Sequence, residues 1–389
     1  MDGIFSDRIA DVPRSFIREI LNVTLDDTVI SFAGGLPNRT LFPVEALARA
    51  AARVFAEAGG DALQYSNTEG FGPLRAFISE RYRRQGLEIP AERILITTGS
   101  QQGLDLLGKI LLNDGDEVLI EEPGYIGAIQ AFSVYRPRFR PVPVGDEGMD
   151  VGVLEAVLRT SAPKLAYTVP NFQNPSGISY TAANRERVAG LLAGSRTLLV
   201  EDNPYGELRF SGQAAPSFMQ LLPEQTVLLG SFSKTVVPAF RLGWIAPPPR
   251  LMDKLVTAKQ AADLHTDAFA QRLLHRYLCD NDLDAHIARI TETYGRQRDA
   301  MVAAIDRHLP SGVRITRPDG GMFLWATLPE GMSALALFER ALARKVVFVP
   351  GDPFYVGRTH VNTLRLNFSC AGEAEIAEGI RRLGEAMAG

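Results

Sequence analysis

The chain has 389 residues, of which 46% are hydrophobic and 22% are charged, and its formal net charge is −4 at pH 7. This composition is typical of a globular protein with one large domain or two joined domains, and the lack of a basic surplus argues against a nucleic-acid partner. The N-terminal residues lack a basic start and an apolar run, and no stretch of about 18 consecutive apolar residues occurs. We therefore expect no secretory signal, no membrane span and a cytoplasmic location.

The first two thirds of the chain alternate short apolar runs with helical patterns. Residues 43–58 predict a helix that opens on proline and ends at two glycines. Continuous apolar runs follow at residues 94–97, 117–120, 165–169, 197–200, 226–229 and 242–245. Strands that are apolar throughout and separated by helices are typical of a mostly parallel α/β sheet buried on both faces.

The C-terminal third has a different pattern. Residues 250–310 predict long helices, and the remainder mixes short strands and helices as a small α+β domain does. The predicted strands are residues 321–328, 346–349 and 363–367, and the predicted helices are residues 334–344 and 374–387. We expect a large domain of residues 41–290, whose mostly parallel sheet is flanked by helices, and a small domain of residues 291–389. Residues 1–40 are expected to join the small domain.

Polar segments with glycine or proline follow five of the predicted strands. They are residues 99–102, 121–125, 170–177, 201–205 and 230–235. Ligands of parallel sheets bind beyond the carboxyl ends of the strands. Five such segments in one sheet therefore predict a shared pocket.

The chain has only six lysines, and Lys234 differs from the others. It follows a predicted buried strand and is flanked by Ser231, Ser233 and Thr235. Desolvation there would lower the pKa of the amine and make it available for a Schiff base, although spacing alone leaves a phosphate-binding or a surface lysine open. The other five are predicted to be solvated at the surface: Lys109, Lys164, Lys254, Lys259 and Lys345.

Three further features indicate a ligand site. Asp202 ends an apolar run and needs a cationic or hydrogen-bonding partner, although a helix cap or turn aspartate is an equal alternative. The turn at residues 99–101 opens a helix and can hold an anion through backbone N–H groups. Arg241 lies seven residues after Lys234 and can supply another phosphate contact. None of the five histidines makes a metal-ligand spacing, so no metal site is predicted.

The motifs together resemble one family. Asn174-Pro175-x-Gly177, Asp202-x-x-Tyr205 and Ser231-x-Ser233-Lys234 with Arg241 resemble the fold-type I aminotransferases, which use pyridoxal 5′-phosphate (PLP). The similarity in order and spacing runs from residues 31–37 to residues 365–368. Residues 16–21 and 32–37 resemble more narrowly the 2-aminoadipate/kynurenine aminotransferase branch, which also supplies the effector domain of some PLP-binding transcription regulators. One departure is Ala239, where the family often has glycine.

The resemblance implies a role for each matched residue. Lys234 would hold PLP through a Schiff base and shuttle the substrate α-proton, while Asp202 would pair with the pyridine nitrogen. Tyr205 and Asn174 would bind the phenolic oxygen of the cofactor, and Tyr125 would stack on its ring. The phosphate ligands would be Ser100, Gln101, Ser231, Ser233 and Arg241.

The same resemblance implies a partner subunit and a substrate site. Tyr65 would reach the phosphate of the neighbouring subunit, which implies a homodimer with shared active sites. Arg365 lies in an alternating strand, and its guanidinium suits the α-carboxylate of a substrate, although alternation alone favours a solvated strand face. Gly35 and Asn174 would also contact the substrate.

An N-terminal helical pattern offers a second cation. Residues 15–21 correspond to a helix that closes over the substrate in the branch this chain resembles. We expect Arg18, rather than Arg14, to meet the distal carboxylate of glutamate or 2-oxoglutarate, with solvation of both arginines as the alternative.

The expected function is therefore PLP-dependent transamination. An amino group would move between an L-amino acid and a 2-oxo acid in a ping-pong scheme, with 2-oxoglutarate and glutamate as one pair. Another PLP reaction on the same fold, such as decarboxylation, lysis or oxidation, is one alternative. A non-catalytic PLP- or amino-acid-sensing module is the other, against which stand the negative net charge and a sequence that begins at the catalytic fold.

Overall fold

The computed structural model describes residues 4–10, 12 and 28–388. The strands are β1 (Ile30–Ser31), β2 (Leu95–Thr98), β3 (Glu117–Glu122), β4 (Arg138–Gly145), β5 (Gly148–Met149), β6 (Leu165–Thr168), β7 (Leu198–Asp202), β8 (Thr226–Ser231), β9 (Leu242–Ala246), β10 (Arg314–Ile315), β11 (Phe323–Thr327), β12 (Val346–Val347), β13 (Val349–Pro350) and β14 (Thr363–Asn367). The helices are α1 (Asp7–Ala10), α2 (Val44–Ala58), α3 (Gly72–Arg84), α4 (Ser100–Leu111), α5 (Ile126–Ser133), α6 (Val151–Thr160), α7 (Ala182–Ala193), α8 (Phe218–Leu221), α9 (Pro249–Gln260), α10 (Ala268–Asp280), α11 (Leu283–His308), α12 (Ala334–Ala343) and α13 (Glu373–Ala388).

The largest sheet has eight strands in the order β2-β9-β8-β7-β6-β3-β4-β5. Strands β8, β7, β6, β3 and β4 are parallel neighbours, whereas β9 is antiparallel to both β8 and β2. Two reversals in succession leave β2 pointing the same way as β8. The carboxyl ends of β2, β3, β6, β7 and β8 therefore meet at one edge of the sheet.

Both faces of this sheet are covered, which explains its continuous apolar strands. Along β7, Leu198 and Val200 join one hydrophobic cluster, and Leu199 joins another. The same alternation occurs along β3, where Val118 and Ile120 share the first cluster and Leu119 belongs to the second. Since successive side chains point to opposite faces, a strand covered on both sides must be apolar at every position.

A smaller antiparallel sheet follows in the chain. Its strand order is β10-β11-β14-β13, and the long helix α11 packs against the C-terminal helix α13. The short strand β1 pairs in parallel with β12. The segment that precedes the large sheet in the sequence therefore contacts a segment that follows it. The architecture confirms the predicted fold class: a mostly parallel, helix-flanked large sheet and a smaller α+β part.

The elements differ from the predictions in two instructive places. Strand β4 was not predicted, because most of its side chains are partly or fully exposed and its sequence contains two prolines. The predicted single strand at residues 346–349 is two strands, since β12 pairs with β1 and β13 pairs with β14. Within the described part of the chain, no helix has the length and apolar character needed to cross a bilayer.

Candidate active site

A cavity of about 430 Å³ opens where the carboxyl ends of the parallel strands meet. Its walls come from the segments that follow β2, β3, β6, β7 and β8, with one side closed by β14 of the smaller sheet. The predicted shared pocket is therefore present. The predicted site residues that line it are Gly35, Ser100, Gln101, Tyr125, Asn174, Asp202, Tyr205, Ser231, Ser233, Lys234, Arg241 and Arg365.

Lys234 projects its amine into this cavity just beyond the end of β8. The Nζ atom donates a hydrogen bond to the carbonyl oxygen of Gly35 at 2.8 Å. Burial lowers the pKa of the amine to about 8, since the charged form loses its hydration. Roughly a tenth of the amine is therefore neutral, and nucleophilic, at pH 7, far more than for a lysine with the usual pKa of about 10.4.

Asp202 is the last residue of β7 and is buried. Its Oδ2 accepts a hydrogen bond from the Tyr167 hydroxyl at 2.7 Å, whereas its Oδ1 has no partner among the described residues. Burial raises the pKa of the carboxyl to about 7. A buried carboxylate oxygen without a donor is costly, so this position is complementary to a ligand that brings an N–H group.

Arg365 reaches the cavity from β14 and is buried rather than solvated. Its Nη1 donates to Asn174 Oδ1 at 2.8 Å and its Nη2 donates to the Ala33 carbonyl at 2.6 Å. The Nε atom has no partner among the described residues. The guanidinium lies over the ring of Phe323, 4.3 Å from its centroid, and burial lowers the pKa of Arg365 to about 10. It stays charged at neutral pH and can still donate to an anion.

The turn between β2 and α4 combines three features that favour an anion. Gly99 has a φ of +73°, which favours glycine, and Arg241 is so close that a Cβ atom there would lie 2.6 Å from its Nη2. Helix α4 begins at Ser100, and its N-cap residue is Gly99, which has no side chain to bond to the amides of the first turn. The helix dipole and the Arg241 guanidinium thus act at the same place.

The family of the chain follows from its sequence similarity to known proteins. The model of the family described as aminotransferase class I and II matches residues 28–383. The chain belongs to this family. It is accordingly a PLP-dependent aminotransferase, and its substrates are amino acids and 2-oxo acids.

Individual relatives cover almost the whole aminotransferase. An aromatic-amino-acid aminotransferase of Thermococcus litoralis is 43% identical over 98% of this chain and 94% of its own length. A 2-aminoadipate transaminase of Thermus thermophilus is 45% identical over 97% of this chain and 95% of its own. In structure, the α-aminoadipate aminotransferase of Thermus thermophilus, complexed with N-(5′-phosphopyridoxyl)-L-leucine, superposes with a TM-score of 0.93. It is 44% identical, and the match covers 99% of this chain and 97% of the other.

The aminotransferase cavity also contains residues that the sequence did not single out. Tyr167, Gln130 and Phe354 line it. The alternation of β6 and β7 could have identified Tyr167, because residues 165 and 167 share a face with residues 198 and 200, and hence with Asp202. Phe354 had no such signal, since it lies in a single 3-10 turn outside any strand.

Two predicted site residues are not placed in the cavity. Tyr65 does not line it and is 81% exposed, with its ring edge-on to His265 at 5.8 Å between centroids. Its predicted reach towards a neighbouring subunit stays a prediction. Arg18 lies outside the described residues, as does Arg14.

The predicted surface position is wrong for one lysine of this aminotransferase. Lys259 is fully buried, and its Nζ contacts Asp263 Oδ1 at 2.8 Å and Gln102 Oε1 at 2.9 Å. The helical pattern of residues 250–260 did not reveal that this face of α9 lies against the turn after β2. The prediction is confirmed for the remaining four, which are exposed: Lys109, Lys164, Lys254 and Lys345.

Proposed function

We propose that this aminotransferase transfers an amino group between an L-amino acid and a 2-oxo acid in alternating half-reactions, with glutamate and 2-oxoglutarate as one pair. The observation that carries the proposal is the burial of Arg365 in the same cavity as Lys234 and Asp202. A buried guanidinium with an open Nε is complementary to the α-carboxylate that both substrate classes share. The relatives named for 2-aminoadipate support a dicarboxylic substrate pair.

The cavity fits the parts of PLP that a protein must hold. Asp202 Oδ1, buried and without a donor among the described residues, would accept from the protonated pyridine nitrogen. Tyr125 would lie against the ring, while Tyr205 and Asn174 would bind the phenolic oxygen. The phosphate would be held at the turn after β2 and the end of β8 by Ser100, Gln101, Ser231, Ser233 and Arg241.

When bound, PLP withdraws electrons from the substrate α-carbon and makes its hydrogen acidic. Asp202 would keep a proton on the ring nitrogen, which this effect requires. Lys234 would hold the aldehyde carbon of the cofactor and move the proton at the substrate α-carbon, because its pKa of about 8 permits both proton uptake and release near neutral pH. Arg365 would fix the α-carboxylate, and Gly35 would border the substrate.

We further propose a cytoplasmic homodimer with shared active sites. Leu63, two residues before Tyr65, is 68% exposed. Leu264, which is 49% exposed, directly precedes His265, whose ring contacts that of Tyr65. Large apolar side chains grouped at a surface favour an interface. In the dimer, Tyr65 of each subunit would contact the phosphate bound by the other.

We also propose that Arg18 contacts the distal carboxylate of an acidic substrate. This residue lies outside the described part of the chain. The proposal therefore rests on the resemblance of residues 16–21 to the corresponding helix of the 2-aminoadipate/kynurenine branch.

Single half-reactions of the PLP-loaded enzyme test the proposed reaction. Glutamate alone should change the absorbance of the bound cofactor and release one equivalent of 2-oxoglutarate per site, and a second 2-oxo acid should restore the spectrum. Release of carbon dioxide or of an eliminated group would instead assign another PLP reaction. A spectrum that changes without release of an oxo acid would assign a sensing module.

Arg365→Ala tests the substrate assignment within the same assay. The KM values for amino-acid and oxo-acid substrates should both rise about 10- to 100-fold, the loss of a charge-assisted hydrogen bond. PLP affinity should be unchanged. Arg314→Ala, an exposed arginine on β10 of the same sheet, is the matched control and should leave both KM values unchanged. If only one substrate class is affected, the α-carboxylate is bound elsewhere.

A further inference from the structure

Lys259 carries a positive charge into the interior close to the proposed phosphate site. It is fully buried near the end of α9. Its Nζ donates to Gln102 Oε1 and to Thr266 Oγ1, each at 2.9 Å, and it contacts both oxygens of Asp263 at 2.8 and 3.0 Å. A buried ammonium requires such partners, so that this geometry is strongly specified.

The partners of Lys259 hold the turn between β2 and α4. Gln102 Oε1 accepts from the backbone N–H of Thr98 at 2.8 Å, and Gln102 Nε2 donates to Asp263 Oδ2 at 2.6 Å. The Thr98 hydroxyl donates to the same Asp263 oxygen at 3.1 Å. Residues on both sides of Gly99 are therefore attached to α9 and the segment after it.

These hydrogen bonds matter because no single helix or strand fixes the conformation of the turn. Gly99 has a positive φ and is pressed against Arg241, while the next residues, Ser100 and Gln101, line the cavity. A shift of the turn would move the helix N-terminus and its amides relative to Arg241. Phosphate recognition depends on several donors that converge on one group of oxygens.

We propose that Lys259, acting through Gln102 and Asp263, is a positioning residue that sets the turn at residues 98–102 for the phosphate of the cofactor. The inference rests on the proposed function, which places the PLP phosphate at this turn. Lys259 does not line the cavity and so acts through its partners.

Lys259→Met tests this role in the purified apo-enzyme. Methionine retains the unbranched shape, and Asp263, whose side chain is 29% exposed, can be hydrated once its partner is lost. We expect the Kd for PLP, measured by absorbance titration, to rise about tenfold or more. The Kd for pyridoxal, which lacks the phosphate, should change less than twofold. Lys254→Met, an exposed lysine on the same helix, should change neither value.

The comparison of PLP with pyridoxal separates positioning from a general structural role. If Lys259→Met weakens PLP and pyridoxal equally, or weakens neither, the proposal is wrong. Asp263→Asn supplies a second variant in case the first does not fold, and it should weaken PLP selectively as well. Failure of the proposed function would look different, because the wild-type enzyme would then release no 2-oxoglutarate from glutamate, whatever its affinities for PLP and pyridoxal.

Discussion

Asp202 and Lys234 illustrate how burial alone can prepare two side chains for proton transfer. The carboxyl pKa is raised to about 7 and the amine pKa is lowered to about 8, in both cases chiefly by desolvation. The charged forms of both groups are thereby disfavoured, and the two pKa values approach the neutral range from opposite sides. A bound ligand that supplies a positive charge beside Asp202 would restore its ionised form.

The lowered pKa of Lys234 predicts a pH profile for cofactor capture. Below about pH 8 the amine is mostly protonated and cannot attack an aldehyde, so the rate at which the apo-enzyme captures PLP should rise about tenfold per pH unit. Above about pH 8 the rate should level off. Stopped-flow absorbance between pH 6 and 10 measures this rate, with Lys234→Ala as the blank. A rate that continues to rise beyond pH 9 would contradict the lowered pKa.

Asp202→Asn should reduce kcat while PLP still binds. The amide cannot hold the ring nitrogen protonated by charge, and loss of such a charge pair typically reduces the rate roughly 10²- to 10³-fold. Tyr167→Phe is the matched variant, because it removes the hydroxyl bonded to Oδ2 but keeps the carboxylate. Its effect on kcat should be about tenfold at most. Near-normal turnover in Asp202→Asn would refute the assignment.

For individual residues, the sequence predicts a place in the site best when the residue lies at the end of a strand. Lys234 and Asp202 could be recognised because each ends or follows an apolar run, and parallel strands bring such ends together. Lys259 could not be placed correctly, because a helical period shows that one face is buried but not what lies against it. Tyr167 was missed because a tyrosine inside an apolar strand looks like an ordinary core residue.

Glu121, near the carboxyl end of β3, attaches the loop after β6 to the large sheet. Its carboxylate accepts from the Val169 N–H at 2.9 Å, from the Tyr180 hydroxyl at 2.7 Å and from Gln173 Nε2 at 2.9 Å. The loop between these residues carries Asn174, the partner of Arg365. The buried carboxyl of Glu121 thus holds the loop that forms one wall of the cavity.

Glu121 predicts a pH dependence of stability. Burial raises its pKa to about 7, so the folded protein retains a proton that the unfolded chain releases near pH 4.5. The free energy of unfolding should therefore fall by about 3 kcal/mol from this group as pH rises from 4.5 to above 7. Glu121→Gln removes this contribution, so its unfolding free energy should fall less over that range than that of the wild type. Urea unfolding of the apo-enzymes at pH 4.5 and 8 measures the difference.

Glu117→Gln, on the same strand, provides a control of opposite sign. The hydrogen bond with Arg140 is the main cause that lowers the pKa of Glu117, so its contribution to stability is lost as pH falls. Removing it should make the wild type, not the variant, lose more stability as the pH falls below 4.5, so the urea measurements for this control extend to more acidic pH. If Glu121→Gln follows the wild-type profile, the raised pKa of Glu121 is wrong.

The element boundaries show what a local pattern can and cannot specify. Residues 363–367 were predicted as a strand and are one, because a regular alternation over five positions is a strong signal. The direction of β9 was not predictable, since its apolar run looks like those of the parallel strands. Direction depends on the connection and on the neighbouring strands, which no short segment contains.

The whole molecule brings distant parts of the chain to one cavity. Arg365 and the Ala33 carbonyl are in contact, and β1 pairs with β12. These contacts support our proposal that residues 1–40 join a small C-terminal domain of residues 291–389, beside a large domain of residues 41–290. The site would then depend on how the two domains are held together, in addition to the contribution that we propose for a second subunit.

Mixed dimers test whether the sites are shared. Tyr65→Ala and Lys234→Ala should each be nearly inactive alone, the first for lack of a phosphate contact and the second for lack of the amine. If Tyr65 serves the opposite subunit, a mixed dimer has one complete site. Random pairing after joint refolding should then restore about a quarter of the wild-type activity. No recovery in a mixture that forms mixed dimers would show that Tyr65 acts within its own chain or not at all.

The position of β9 between β2 and β8 has a consequence for synthesis of the protein. Thr98 is paired with Leu242, so a growing chain cannot complete the edge of its sheet until residues 242–246 have left the ribosome. Until then β2 presents an apolar strand without its neighbour, a feature that invites aggregation or capture by a chaperone. The turn after β2 is completed later still, because its partner Lys259 is synthesised after residues 242–246. Nascent chains arrested before residue 242 should therefore remain protease-sensitive and unable to bind PLP, and affinity for the cofactor should arise only after release of the α9 segment.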